Sequence, residues 1–198
     1  MPDWLSLQQP SKKASLDKSP CRNEQNLIQA SSSTIWAEEN RMDKAMEYYR
    51  AAINANPNYF EAHNNLAVAY LNLKQFAVAK IYSEKALSLN PQSADLMFNL
   101  ARVEYHLGNY QKAIEWFEAG INVSHNRNQQ LTGHIGAVIA HTQNKTYRSA
   151  FEHSLQVIEL NPNDSEAYIQ AAKLSLILGK AGEADYYRKQ AEAISKGK

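Results

Sequence analysis

The chain has 198 residues, 44% of them apolar, with 21 Lys and Arg against 20 Asp and Glu and a single cysteine. The apolar share is enough for a continuous core. The balanced charge argues against a general phosphate-backbone binder, which needs a basic stripe, and one cysteine excludes both a disulfide framework within the chain and a thiol-rich metal site.

Residues 1–25 read as a flexible polar leader, rich in Ser, Lys and Pro, with one short apolar cluster at Trp4, Leu5 and Leu7. A sharper reading makes that cluster a docking motif anchored by Trp4, either for another protein or for the rest of the chain. The leader lacks the apolar stretch of a secretory signal, and no segment approaches the roughly 18 consecutive apolar residues of a membrane span. The chain as written therefore reads as cytoplasmic, and as periplasmic or membrane-associated if an export signal has been trimmed. Cys21 sits in this polar stretch with nothing beside it to activate a thiol.

From residue 26 the texture becomes helical and periodic. Ala45, Ala79, Ala113, Ala150 and Ala184 share one phase of a 34-residue pattern, interrupted by a single 37-residue step. A period of this length implies stacked two-helix units. The units run over 26–59 (weak), 60–93, 94–127, 131–164 and 165–198. In the second, Leu66, Ala67 and Tyr70 mark one helix, and Phe76, Ala79, Tyr82, Ala86 and Leu89 mark another, with a break near Lys74-Gln75. Asn90-Pro91 and Asn161-Pro162 close units, on the expectation that Asn takes the left-handed conformation at a helix end and Pro cannot continue the helix. The extra residues of the long step fall within 126–130 and are expected to form a loop. Small residues at fixed phases (the five alanines, and Ser33, Ala67, Ala101 and Ala172, with Val138 the exception) are expected where helices cross closely. The last unit carries Arg188 and Glu192 where earlier ones carry Tyr49 or Phe117, and Ile53, Leu87, Ile121 or Ile158. That change reads as a polar outer face closing the array.

These residues resemble the tetratricopeptide repeat, a 34-residue helix-turn-helix with the pattern W-x2-L-G-x2-Y, then A-x3-F, then P. Leu66-Ala67-x2-Tyr70 with Ala79 and Pro91 fits it, and Ala113-x3-Phe117 fits its second half literally. The first unit departs from it, with Ser32 and Ser33 at the Leu-Gly phase. The resemblance covers 26–198. It implies an all-α fold, a right-handed helical-hairpin solenoid of four clear repeats and one degenerate one, with the first helix of each repeat lining a concave groove that holds a peptide or helix.

Carried over by phase, the groove would be lined by Asn64, Val68, Leu71 and Asn72 in the second unit, and by Phe98, Arg102, Tyr105 and His106 in the third. Ile135, Ile139 and Gln143 follow in the fourth, and Ile169 and Lys173 in the fifth. Phe98, Arg102 and Tyr105 share one helical face, and aromatic and Arg residues are frequent interface anchors. The alternative is that Phe98 and Tyr105, with the isoleucines, pack between helices.

The reading that results is a protein-interaction scaffold or adaptor that binds an unidentified protein or peptide, with no enzymatic activity, no cofactor and no metal expected. A narrower alternative is an accessory protein of bacterial pilus or secretion-system assembly. An alternative of another class is an RNA-binding helical repeat, which the charge balance disfavours. Clamping of chaperone C-terminal tails is also disfavoured. Asn65 or Asn99 could supply that clamp's middle Asn, but Asn64, Val68, Thr132 and Gly136 stand where the resemblance requires its flanking residues, mostly basic. His134 and His141 lie about two helical turns apart, too far to share a metal unless other ligands converge, and are expected to be ordinary helix histidines. No HExxH, phosphate-binding loop or nucleophile elbow occurs.

Overall fold

The computed structural model describes residues 42–196. The leader, Trp4, Cys21, and Ser32 and Ser33 of the weak unit lie outside the described residues. Within them every regular element is a helix: α1 (Met42–Ala55), α2 (Phe60–Asn72), α3 (Phe76–Leu89), α4 (Ala94–His106), α5 (Tyr110–Asn122), α6 (Arg127–Gln143), α7 (Tyr147–Leu160), α8 (Ser165–Ile177) and α9 (Ala181–Lys196). None is long and apolar enough to cross a membrane. The chain divides into two compact units, one ending at Pro91 and one beginning at Gln92.

In the first unit α1 packs on α2 and α2 on α3. Ala45, Met46, Tyr49, Leu66 and Ala69 form its core, flanked by Tyr70 and Tyr82. In the second unit each helix from α4 to α9 packs on the next, and α4 also touches α6. Ala45, Ala79, Ala113 and Ala150 are fully buried and Ala184 is 4% exposed, so the periodic alanine is the close-approach point in every unit.

The hairpin turns share one backbone device. Lys74, Gly108, Lys145 and Gly179 stand at the same repeat phase and all have positive φ, at 59°, 80°, 61° and 75°. The left-handed residue expected at Asn90 and Asn161 is therefore found inside the hairpins instead. Asn90 and Asn161 leave the helical region with negative φ, −139° and −141°, because a following proline disfavours that region.

The extra residues of the long step also behave differently from expectation. They do not form a loop: α6 begins at Arg127 and runs 17 residues, where α2, α4 and α8 run 13. The reason is local. Asn126 caps the helix, its Oδ1 accepting the Gln129 N–H at 2.9 Å, and the added turn starts where that cap sits. Ser93 and Asp164 cap α4 and α8 in the same manner.

Candidate functional site

The first helices of the second unit are α4, α6 and α8. From Leu96 to Glu104 every residue of α4 is buried, because this helix lies against both α5 and α6. A helix covered on several faces cannot offer those faces to a ligand. That corrects the expected position of Phe98, which is 3% exposed and stacks on Phe117 with ring centroids 6.2 Å apart. Three glycines make the room. A Cβ on Gly120 would fall 2.3 Å from Phe98 Cε1, one on Gly133 2.8 Å from Phe98 Cζ, and one on Gly136 2.2 Å from Phe117 Cε1. The two rings fill space that side chains on α5 and α6 have vacated.

Arg102 lies one turn further along α4 and is also buried, at 8% exposure. Nη1 donates to Asn99 Oδ1 at 3.3 Å, and Nε has no hydrogen-bond partner. No carboxylate pairs with it among the described residues. Burial lowers its pKa from the usual arginine value, and the cation still stays charged at any physiological pH. Burial and the Arg102 charge together hold His106 below the ordinary imidazole value.

The remaining expected groove residues are distributed as follows. Tyr105 is half-buried, its ring edge-on to His106 and 5.4 Å from Tyr110, and burial raises its phenol above the usual range. His106 and Gln143 are exposed, and Ile135, Ile139 and Ile169 are half-buried. Lys173 is exposed, 4.0 Å from Glu166. In the first unit Asn64 and Val68 are half-buried, Asn72 is exposed, and Leu71 is a core residue at 5% exposure. Phe98, Arg102 and Leu71 are thus buried, and Tyr105, Ile135, Ile139 and Ile169 are half-buried on α4, α6 and α8. Side chains also bond between successive repeats: Gln129 Nε2 donates to Asp95 Oδ2 at 3.2 Å and Asn144 Nδ2 to Gln111 Oε1 at 3.2 Å.

Known proteins agree with this architecture. Residues 35–74 match the family described as "TPR repeat", and residues 60–93 and 79–126 match families described as "Tetratricopeptide repeat". A curated relative, the BBSome complex member BBS4 of Bos taurus, is 29% identical over 66% of this chain, which spans only 24% of that relative's length. The solved chain of MamA (41-end) from Desulfovibrio magneticus RS-1 superposes with a TM-score of 0.78 at 13% identity, covering 88% of this chain and 97% of that one. PilW, described as a type IV pilus biogenesis factor, gives 0.75 at 18% identity over 87% of this chain and 79% of its own. With its 34-residue phase, its helical hairpins and these matches, the chain is a tetratricopeptide-repeat protein.

Proposed function

We propose that this scaffold binds a partner segment along α4, α6 and α8, and that Arg102 receives a carboxylate of that segment. The observation that carries the reading is the buried guanidinium with an unpartnered Nε. A buried charge without a counter-ion is costly, and natural folds accept such costs mainly where function requires them. Arginine's planar fork suits a carboxylate, which it can grip with two parallel hydrogen bonds. On the same three helices, half-buried Tyr105, Ile135, Ile139 and Ile169 offer apolar contacts, and exposed Lys173 offers a second positive charge. Burial of the apolar contacts drives association, and the charges set register and partner choice.

A role in pilus or secretion-system assembly is a narrower form of the same reading. It rests on the likeness to PilW, and at 18% identity that likeness speaks to the fold alone. No catalysis or nucleic-acid binding is proposed.

The test is selection from a random peptide display library against the full chain. Selected peptides should be enriched in Asp or Glu, and Arg102→Met should weaken them by about 2 kcal/mol or more, roughly 30-fold. Peptides without acidic residues that bind the variant equally well would refute the carboxylate role.

A further inference from the structure

In the first unit, three aromatic residues and a cation form a packed group. Tyr70 stacks on Tyr82 with centroids 5.5 Å apart and planes 14° apart, His63 lies 6.1 Å from Tyr82, and Arg50 Nη2 donates to Tyr70 Oη at 2.9 Å. In the second unit the corresponding repeat phases hold His141, His153, His134 and Glu118. The geometry persists: His141 stacks on His153 at 5.2 Å and 24°, His134 lies 5.2 Å from His153, and Glu118 Oε1 is 3.4 Å from His141 Nε2 and 4.0 Å from His153 Nε2. A packing cluster has kept its shape and exchanged phenols and a guanidinium for imidazoles and a carboxylate.

Contacts at one ring nitrogen orient the other. Thr146 Oγ1 donates to the His141 carbonyl at 3.2 Å and meets His141 Nδ1 at 2.8 Å. The shorter contact occupies Nδ1 and turns Nε2 toward Glu118. His141 Nε2 is buried and faces Glu118 Oε1 at 3.4 Å, without the geometry of a sound hydrogen bond. With the proton on Nδ1, two lone pairs face each other across that gap, and a cation between them would join both. His153 Nδ1 is likewise engaged, 2.9 Å from His134 Nδ1, which leaves its Nε2 on the Glu118 side. Metal-binding histidines are held in this way, with the second ring nitrogen bonded to an outer partner that sets tautomer and orientation.

We infer that Glu118, His141 and His153 form a transition-metal site, best suited to Zn²⁺, with Thr146 and His134 as its outer supports. One donor atom from each of the three residues lies within 4.8 Å of the other two. Donors around a four-coordinate zinc stand roughly 3.3 Å apart at zinc's bond lengths, and the Glu118–His141 edge is already at 3.4 Å. Two imidazoles and a carboxylate suit zinc, which imposes no d-electron geometry and tolerates the remaining adjustment. Glu118 is about half exposed, so the ion has an entry path, and the fourth position is left to water. The ligands come from α5, α6 and α7, and the bound ion cross-links three helices of two successive repeats.

The experiment is calorimetric titration of tag-free, full-length protein with Zn²⁺ at neutral pH, repeated with Co²⁺ and read by its visible d–d absorption. Wild type should bind one ion per chain and show the intense bands of low-coordinate Co²⁺. Glu118→Gln, at a half-exposed position, should fold normally and lose tenfold or more in affinity. Glu118→Gln/His153→Gln should bind nothing. His134→Ala should lose between roughly 10- and 100-fold, as outer-shell changes do. Cys21→Ser should change nothing. The inference is overturned if wild type takes up no Zn²⁺ at millimolar concentration, if Glu118→Gln and the double variant bind as well as wild type, or if Cys21→Ser abolishes binding.

Discussion

The ring of Phe98 occupies the space that a Cβ on Gly120 would fill, 2.3 Å from where that carbon would stand. Two opposed effects act on Gly120→Ala. Alanine gains about 1 kcal/mol in helix propensity, and overpacking a fixed ring costs about 1–3 kcal/mol. Phe98 is 3% exposed and has nowhere to move, so the overlap wins. Urea denaturation should show Gly120→Ala destabilised by 1 kcal/mol or more, and Gly136→Ala likewise against Phe117. Phe98→Leu should recover part of the Gly120→Ala loss in a double-mutant cycle.

Arg102 illustrates the opposite case, a residue whose removal should help folding. Arg102→Met keeps the aliphatic stem and deletes a buried charge that has no ionic partner. Its stability should rise by about 1 kcal/mol or more in denaturant titration, since replacing buried charge with apolar volume is often stabilising. A loss of stability would mean that the guanidinium supports the fold rather than a ligand.

The same variant should move a neighbour. His106 is held below the ordinary imidazole value first by burial and second by the Arg102 charge, so Arg102→Met should raise the His106 pKa toward about 6.5, as read by NMR titration. The sign for stability follows. The unfolded chain takes the His106 proton at higher pH than the folded chain does. Its contribution is therefore complete above the unfolded value and declines as pH falls toward the folded one. That decline should be smaller in Arg102→Met.

Lys74 and Lys145 adopt positive φ where the other two hairpins use Gly108 and Gly179. A left-handed conformation costs a non-glycine residue about 1–2 kcal/mol, partly offset by glycine's entropy in the unfolded chain. Lys74→Gly and Lys145→Gly should each stabilise by about 0.5–1 kcal/mol, and Gly108→Ala should cost about as much. Thermal unfolding of the single variants checks all three.

Much of the fold was legible in the sequence because it is periodic. The phase of Ala45 through Ala184 locates the second helix of each hairpin, and those alanines are the buried contact points. Features that break the period were harder to read. The extra turn of α6 depends on the Asn126 cap, and the non-helical, negative-φ backbone of Asn90 and Asn161 reflects the proline that follows each of them. Burial of α4 depends on which helices cover it, and a repeat template assigns the same exposure to every copy, so Phe98 looked like a surface residue. The histidine cluster was hidden for another reason. Its members come from three helices, and spacing along one helix compares only His134 with His141. The phase of the stacked Tyr70 and Tyr82, read against His141 and His153, was the signal that could have found it.

The most direct test of the interaction surface is the Arg102 Nε–H resonance of labelled protein during titration with a selected acidic peptide. That proton has no acceptor in the free protein. A bound carboxylate should shift it strongly downfield, with accompanying amide shifts on α4, α6 and α8. An Arg102 Nε–H that stays in place at saturation, with the shifts confined to α5, α7 and α9, would contradict the account.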